Sequence, residues 1–263
     1  MFKKSRVILL FSLLSISSTP ALAGSFDITI NNLGGLTASQ SAIFATAEAF
    51  WEGVLPSIQD SGNLNLVIDA SGIAIDGPGG ILGQAGPTSG GTLGGSFIYV
   101  FTGVMQFDTA DLAGLEGAGL LLDVILHEMA HVIGFGTAWV LNGVYVDESG
   151  MFTGANALAA YQAEFDPLAT FVPVDIVSGL GTRNSHWAEN WAGGFNELMT
   201  GFLDPPTFIS DTTLASFIDI GYNRADEGQL PVPEPSTFLL LLTGLFVIGI
   251  RRTFLARSAG VSA

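Results

Sequence analysis

The sequence predicts an α+β domain, in which short strands and amphipathic helices follow one another in mixed order. Three observations indicate this class. Short alternating segments early in the chain have the period of half-buried strands. Two mainly apolar segments, residues 37–54 and 120–135, have helical length. Between them, residues 72–103 contain eleven glycines and two prolines, which favours loops around short strands.

The first third of the chain reads as strand, helix, strand. Residues 26–31 alternate apolar and polar side chains, which predicts a strand. Thr37 is placed to cap a helix over residues 37–54, which stops before Pro56. Residues 64–70 predict a second strand.

The remaining elements are shorter or more apolar. Three short strands are predicted in and after the glycine-rich region, at residues 81–85, 97–101 and 104–107. The apolar segment 120–135 predicts a buried helix that ends at Gly134 and Gly136. A surface helix is expected at residues 156–165, and a last helix at 211–220 with Asp211 as its N-cap.

Composition excludes several classes of function. The chain has 263 residues, with 24 Asp and Glu against 8 Lys and Arg and a formal net charge of −16. Between residues 24 and 232 only Arg183 and Arg224 are basic, so the domain repels phosphate backbones and no nucleic-acid partner is expected. Cysteine is absent, which excludes disulfides, thiolate nucleophiles and Cys-ligated metal.

Residues 1–23 have the order of a secretory signal peptide. Three basic residues precede an apolar run over residues 7–16, and an Ala-Leu-Ala sequence at 21–23 suits cleavage before Gly24. The alternative, a membrane anchor, is disfavoured because the apolar run is too short to span a bilayer.

Residues 232–263 predict a second targeting segment. A Pro-Glu-Pro sequence precedes an apolar run at residues 236–250, and two arginines follow it, as in a short transmembrane segment whose arginines face the cytoplasm. The alternative is a buried core helix, which the flanking prolines and arginines disfavour. The segment resembles the PEP-CTERM sorting signal. That resemblance implies processing by an exosortase, transient membrane contact, and export to the surface or exterior of a Gram-negative bacterium, leaving a domain at residues 24–231.

The strongest chemical signal is the sequence His-Glu-Met-Ala-His at residues 127–131, inside the predicted buried helix. Two histidines one helical turn apart lie on one face and can share one zinc ion. Glu128 is offset from that face, where it can act as general base on a zinc-bound water. Polar side chains in so apolar a segment are costly unless they are paired or bind metal.

The third zinc ligand must come from a distant part of the chain. Where the longer motif would place a third histidine the sequence has Thr137, a poor zinc ligand. His186 is the remaining histidine, and a long glycine-rich insertion can return it because closure entropy grows only slowly with loop length. Glu189 and Glu197 remain alternative carboxylate ligands.

The motif at residues 127–134, the displaced His186 and the Glu-Leu-Met-Thr sequence at 197–200 together resemble leishmanolysin, a metzincin protease. The resemblance implies a metzincin-like zinc protease domain: a twisted mixed sheet, an active-site helix, a Met-turn at Met199 beneath the zinc, and a closing C-terminal helix. Weaker similarities lie at residues 45–51, 103–108 and 214–222.

The same resemblance extends to residues 81–87, which are similar to the edge strand that pairs with substrate. It implies that four residues bind an extended peptide backbone: Leu82, Gly83, Gln84 and Ala85. Unlike leishmanolysin, the chain has no cysteine, so latency through a cysteine-containing propeptide is impossible.

The sequence therefore predicts a secreted zinc-dependent endopeptidase with one catalytic Zn²⁺ and a peptide or protein substrate, in which Glu128 assists attack by zinc-bound water. The alternative is a non-catalytic surface or extracellular-matrix protein with a structural zinc site. A fourth protein ligand would favour that alternative, whereas an open position favours the enzyme.

Three further positions carry weaker expectations. Asp108 and Asp111 are too few for a calcium site, so a solvated acidic face is favoured. Trp139 and Trp187 are expected in the cleft wall or in the core. Tyr222 is expected in the closing helix rather than at an oxyanion.

Overall fold

The computed structural model of the chain describes residues 24–225. The signal peptide predicted at 1–23 and the tail predicted at 232–263, with its apolar run at 236–250, lie outside the described residues. Among residues 24–225, none of the helices has both the length and the apolar character that a bilayer span requires. The described elements, in chain order, are β1 (Gly24–Asn32), α1 (Ala38–Val54), β2 (Ser57–Ile58), β3 (Leu64–Ile73), β4 (Gly83–Gly91), β5 (Tyr99–Asp108), α2 (Leu112–Ala118), α3 (Leu121–Ile133), β6 (Met151–Phe152), α4 (Ala155–Glu164), β7 (Val172–Pro173), α5 (Asp211–Ile218) and β8 (Tyr222–Asn223).

The main sheet is mixed and has six strands in the order β4-β5-β3-β1-β2-β8. Strands β1, β3 and β5 are parallel, with Phe26 opposite Leu64 and Val67 opposite Thr102. Strand β4 runs antiparallel to β5 and is the outermost strand. Its far edge therefore has no strand beside it in the described part of the chain. The fold is α+β, as predicted.

Helix α1 begins at the predicted cap. The Thr37 hydroxyl accepts from the Gln40 backbone N–H at 3.2 Å, and the Gln40 side chain accepts from the Thr37 N–H at 2.9 Å, which completes a capping box. Further along, the Trp51 indole donates to the Leu126 carbonyl at 3.2 Å. This bond fixes α1 against α3, the helix that carries the metal-binding motif.

The helix expected over 120–135 is α3, which ends at Ile133 with Gly134 as its C-cap, so the expected stop at Gly134 is confirmed. Other expectations were wrong. The short helix α2 before α3 was not predicted. The strands expected at 97–101 and 104–107 are one strand, β5, because the intervening residues continue its pairing with β3. Strand β4 starts two residues later than expected and is longer.

The N-cap of α5 is Ser210 rather than the expected Asp211. Ser210 has an extended backbone, and its hydroxyl accepts from the Thr213 N–H at 3.0 Å. Asp211 instead occupies the first turn, where a carboxylate also interacts favourably with the helix dipole.

Candidate metal centre and active site

Helix α3 carries the residues of the predicted motif into the interior. It packs against α1 on one side and against β4 and β5 on the other, and most of its side chains are buried. His127 and His131 are four residues apart and so project from the same face. His131 and Glu128 are buried, while His127 is partly exposed.

His186 reaches the same place from the long segment between β7 and α5. Its neighbour Trp187 is fully buried, and the Trp187 N–H donates to the Met199 carbonyl at 3.0 Å. At the end of α3, Gly136 has a φ of +74°, and a Cβ there would lie 2.5 Å from the Ser185 carbonyl oxygen. Glycine at position 136 therefore lets the segment with His186 pack directly against the end of the helix.

The three histidines converge through their Nε2 atoms. The His127 and His131 Nε2 atoms are 3.1 Å apart, and each is 3.0 Å from the Nε2 atom of His186. The third histidine, distant in sequence, thus completes a nearly equilateral triangle with the two histidines of α3.

Backbone carbonyls set the tautomer of each ring. The His127 Nδ1 lies 2.6 Å from the Leu198 carbonyl oxygen. The His131 Nδ1 lies 3.0 Å from the Phe135 oxygen, and the His186 Nδ1 lies 2.8 Å from the Thr182 oxygen. A carbonyl oxygen can only accept, so each neutral ring carries its proton on Nδ1 and has a lone pair on Nε2. Three lone pairs facing one another cannot hydrogen-bond, but a cation between them satisfies all three.

The triangle fits a zinc ion. Tetrahedral zinc with Zn–N bonds of about 2.0–2.1 Å places its nitrogen ligands about 3.3–3.4 Å apart, close to the observed separations. Within residues 24–225, these three histidines form a group that could hold a metal ion, and no carboxylate joins it. The described residues thus supply three imidazole ligands of the type that zinc sites in proteins use.

Burial keeps the imidazoles neutral. It lowers the pKa of His127, lowers the pKa of His131 well below its usual value, and lowers that of His186 to about 3. The charge of the neighbouring imidazoles lowers the pKa of His131 and His186 further. Since neutral imidazole is the metal-binding form, protons do not compete for the site near neutral pH.

Glu128 forms part of the wall of the same cavity, which has a volume of about 580 Å³ and is also lined by the three histidines. Burial raises the pKa of the Glu128 carboxyl to about 8. Opposite it lies Gly83, where a Cβ would come within 3.1 Å of the Glu128 Cγ and Oε1 atoms. A side chain at position 83 would therefore force the Glu128 side chain to shift by a few tenths of an ångström.

The four residues predicted to bind substrate lie at this cavity. All four line it: Leu82 lies directly before the outermost strand β4, and Gly83, Gln84 and Ala85 are its first three residues.

Met199 is fully buried. It follows Leu198, whose carbonyl accepts the hydrogen bond from His127.

The alternative carboxylate ligands lie elsewhere: Glu197 accepts from the Met199 N–H at 2.7 Å, and Glu189 accepts from the Gly201 N–H at 2.7 Å. The structure brings neither of them into the histidine group.

The weaker expectations are also resolved. Asp108 is not on a solvated face, since it is buried and accepts backbone N–H groups from the loop at residues 75–77 and from Ala110. These bonds lower its pKa. Trp139 and Trp187 are fully buried, with ring centroids 5.1 Å apart, and belong to the core. Tyr222 lies in β8, just after the last helix, and donates to the Ile133 carbonyl at 2.9 Å.

The carbonyls that hold the imidazoles were not predicted. They belong to Leu198, Phe135 and Thr182, and their side chains take no part in the bonds. Because every residue has a carbonyl, no residue type marks such a position in the sequence. Thr137, the residue at the usual third-ligand position, donates its hydroxyl to the His131 carbonyl at 2.7 Å.

Two comparisons with known proteins give a match, one to the tail and one to part of the chain. The PEP-CTERM protein-sorting motif matches residues 231–252. The motif implies processing by an exosortase and export to the cell envelope or surface of a Gram-negative bacterium.

The chain is also similar to a "Leishmanolysin homolog" from Crithidia fasciculata, with 28% identity over 118 residues. The match covers 41% of this chain and only 18% of that relative. It points to a metalloprotease family.

Proposed function

We propose that the described domain is a zinc-dependent endopeptidase of the leishmanolysin-like metzincin type. The observation that carries the proposal is the convergence of three neutral imidazoles on one point beside the Glu128 carboxyl, in a cavity that follows an edge strand. The similarity to a leishmanolysin homologue supports it.

A zinc ion held by His127, His131 and His186 would supply a Lewis acid that polarises the scissile carbonyl and acidifies the attacking water. Glu128 then acts as general base. Its carboxylate takes a proton from the water as the oxygen attacks the peptide carbon, and it returns that proton to the nitrogen of the departing amine. A dication held by the three histidines would favour the ionised carboxylate and so offset the rise in the Glu128 pKa that burial causes.

The substrate is an extended segment of a peptide or protein. Residues Leu82–Ala85 line the cavity, and an extended peptide paired with this segment would bring its scissile bond to Glu128. Apart from Glu128 and the imidazoles, the residues that line the cavity are uncharged, so backbone pairing and apolar contact provide most of the binding.

We further propose that the mature protein acts outside the cell. The sorting motif at residues 231–252 would hold the chain at the membrane through residues 236–250 until an exosortase removes the tail. The domain at residues 24–231 would then be released to the surface or the exterior.

The test of the proposed function is hydrolysis of casein by the purified protein, compared with its Glu128→Gln variant. We expect zinc-dependent cleavage that a chelator abolishes and added zinc restores. Glu128→Gln should keep stoichiometric zinc and lose about 10²–10⁴-fold in rate, because it removes the base and not a ligand. Zinc bound without any hydrolysis by the unsubstituted protein would instead favour a structural zinc site.

A further inference from the structure

Glu197 is a buried carboxyl group outside the cavity, with about 1% of its surface exposed. Its Oε1 accepts from the Ser210 N–H at 3.0 Å, from the Ser210 hydroxyl at 2.9 Å and from the Thr213 hydroxyl. Its Oε2 accepts from the Met199 N–H at 2.7 Å. One carboxyl group thus ties residues 197–199 to the first turn of α5.

The bond to Met199 bears directly on the metal centre. The Met199 N–H and the Leu198 carbonyl belong to the same peptide group, and that carbonyl accepts from the His127 Nδ1 at 2.6 Å. The carboxylate therefore ends a chain of hydrogen bonds that runs through one rigid peptide unit to the imidazole. A negative charge at the N–H end polarises the peptide and strengthens the carbonyl as an acceptor.

His186 has a different environment. The Thr182 carbonyl, which accepts from His186, belongs to the same peptide group as the Arg183 N–H. That N–H donates to the neutral Gly179 carbonyl at 3.1 Å. The series of hydrogen bonds from His127 ends in the Glu197 carboxylate, whereas the series from His186 ends in the Gly179 carbonyl.

We propose that Glu197 is a positioning residue of the metal centre, which orients His127 and increases its donor strength through the peptide group between Leu198 and Met199. This inference rests on the proposed zinc site. In other zinc sites a carboxylate contacts the zinc-bound imidazole directly and orients it. Glu197 has the same role here, but it acts on His127 through a peptide group.

The test measures the zinc dissociation constant by chelator competition for the full chain and for Glu197→Gln, each also in a His127→Ala background. An amide at position 197 has no charge and places an NH₂ group against either the Met199 or the Ser210 N–H. We expect Glu197→Gln to weaken zinc binding about 10- to 100-fold when His127 is present. With His127 replaced, the same substitution should leave the weaker two-histidine site unchanged, because its effect passes through that ring.

Glu189→Gln is the matched control, since Glu189 also accepts one backbone N–H nearby, from Gly201, but has no link to Leu198. It should leave zinc affinity unchanged. The visible spectrum of the cobalt-substituted protein should change for Glu197→Gln and not for Glu189→Gln. If Glu197→Gln does not fold, Glu197→Asp replaces it, because the shorter carboxylate cannot reach both Met199 and Ser210.

Three results would overturn the inference: unchanged zinc affinity in Glu197→Gln, an equal loss in Glu189→Gln, or a loss that persists in the His127→Ala background. Failure of the unsubstituted protein to bind zinc is distinguishable from these. It would overturn the proposed function itself, and the inference with it.

Discussion

A backbone carbonyl decides the chemistry of each imidazole at the proposed metal centre. Leu198, Phe135 and Thr182 accept the Nδ1 protons, so the three Nε2 lone pairs must point inward. The tautomers are thus set before any metal binds, and the reorganisation needed on binding is small. Burial affects Glu128 and the histidines in opposite directions. It raises the pKa of the Glu128 carboxyl and lowers the pKa of the three imidazoles.

The raised pKa of Glu128 predicts a pH dependence of stability for the metal-free protein. The folded carboxyl keeps its proton up to about pH 8, whereas the unfolded carboxyl loses it near its ordinary pKa of 4.5. Between these values the folded state binds more protons, so stability falls as pH rises, by up to about 1.4 kcal/mol per pH unit. Glu128→Gln removes this contribution.

Denaturant unfolding of both proteins in chelator, at about pH 5 and about pH 7.5, measures the effect. The free energy of unfolding of the unsubstituted protein should fall relative to that of Glu128→Gln at the higher pH. The histidines are common to both proteins and largely cancel. A difference between the two proteins that is independent of pH would contradict the assigned pKa.

Helices α4 and α5 cap one another. Asp219, at the end of α5, accepts from the Asn156 N–H and the Ala157 N–H at 2.9 Å, in the first turn of α4. Glu164, the last residue of α4, accepts from the Asp211 N–H at 2.9 Å and the Thr212 N–H at 2.8 Å, in the first turn of α5. Helix α4 has no N-cap side chain of its own, so a distant carboxylate satisfies its free N–H groups.

Asp219→Ala should therefore lower the free energy of unfolding by about 1–2 kcal/mol, as expected for loss of a helix cap. The matched control is Asp147→Ala, which removes an exposed carboxylate from a loop and should change stability by less than about 0.5 kcal/mol. Chemical denaturation of the two variants gives the comparison. Equal effects would show that the cap between the helices contributes nothing measurable.

Local patterns predicted the long elements well. Helix α1 and its Thr37 cap follow from the apolar spacing and one capping residue, and α3 follows from its apolar run. The separate helix α2 could not be predicted in this way. Its sequence, Leu-Ala-Gly-Leu-Glu-Gly-Ala, contains two glycines, which have a poor helix propensity, and tertiary contacts with α3 stabilise it.

The residues of the candidate site also differ in whether a local pattern predicts them. His127, Glu128 and His131 follow from spacing on one helix, whereas His186 required an argument from elimination. Its place depends on the close approach of Ser185 to Gly136 and on the burial of Trp187, which are contacts between distant segments. Such contacts leave no periodic pattern in one sequence.

The charge of the whole chain suits cation binding. Among residues 24–225, Arg183 and Arg224 form ion pairs with Glu148 and Asp211, and acidic residues predominate over the rest of the surface. A field of this sign repels polyanions and attracts cations such as zinc.

The tail should be absent from the mature protein. The matched sorting motif, the apolar run at 236–250 and the two following arginines predict removal of residues 232–263 during export. Mass spectrometry of the protein recovered from the medium or the cell surface should find a C-terminus near the Pro-Glu-Pro sequence. A mature extracellular form that still ends at Ala263 would contradict this.

In the proposed metal centre, three histidines and no carboxylate hold the zinc ion. The most direct measurement is the zinc content of His186→Ala and Glu189→Ala after dialysis against a weak chelator. His186→Ala should lose its metal, because it removes one corner of the triangle formed by the three Nε2 atoms. Glu189→Ala should keep stoichiometric zinc, because Glu189 bonds to the Gly201 N–H outside that group. The reverse result, metal kept without His186 and lost without Glu189, would contradict the three-histidine site and indicate a site of two histidines and one carboxylate.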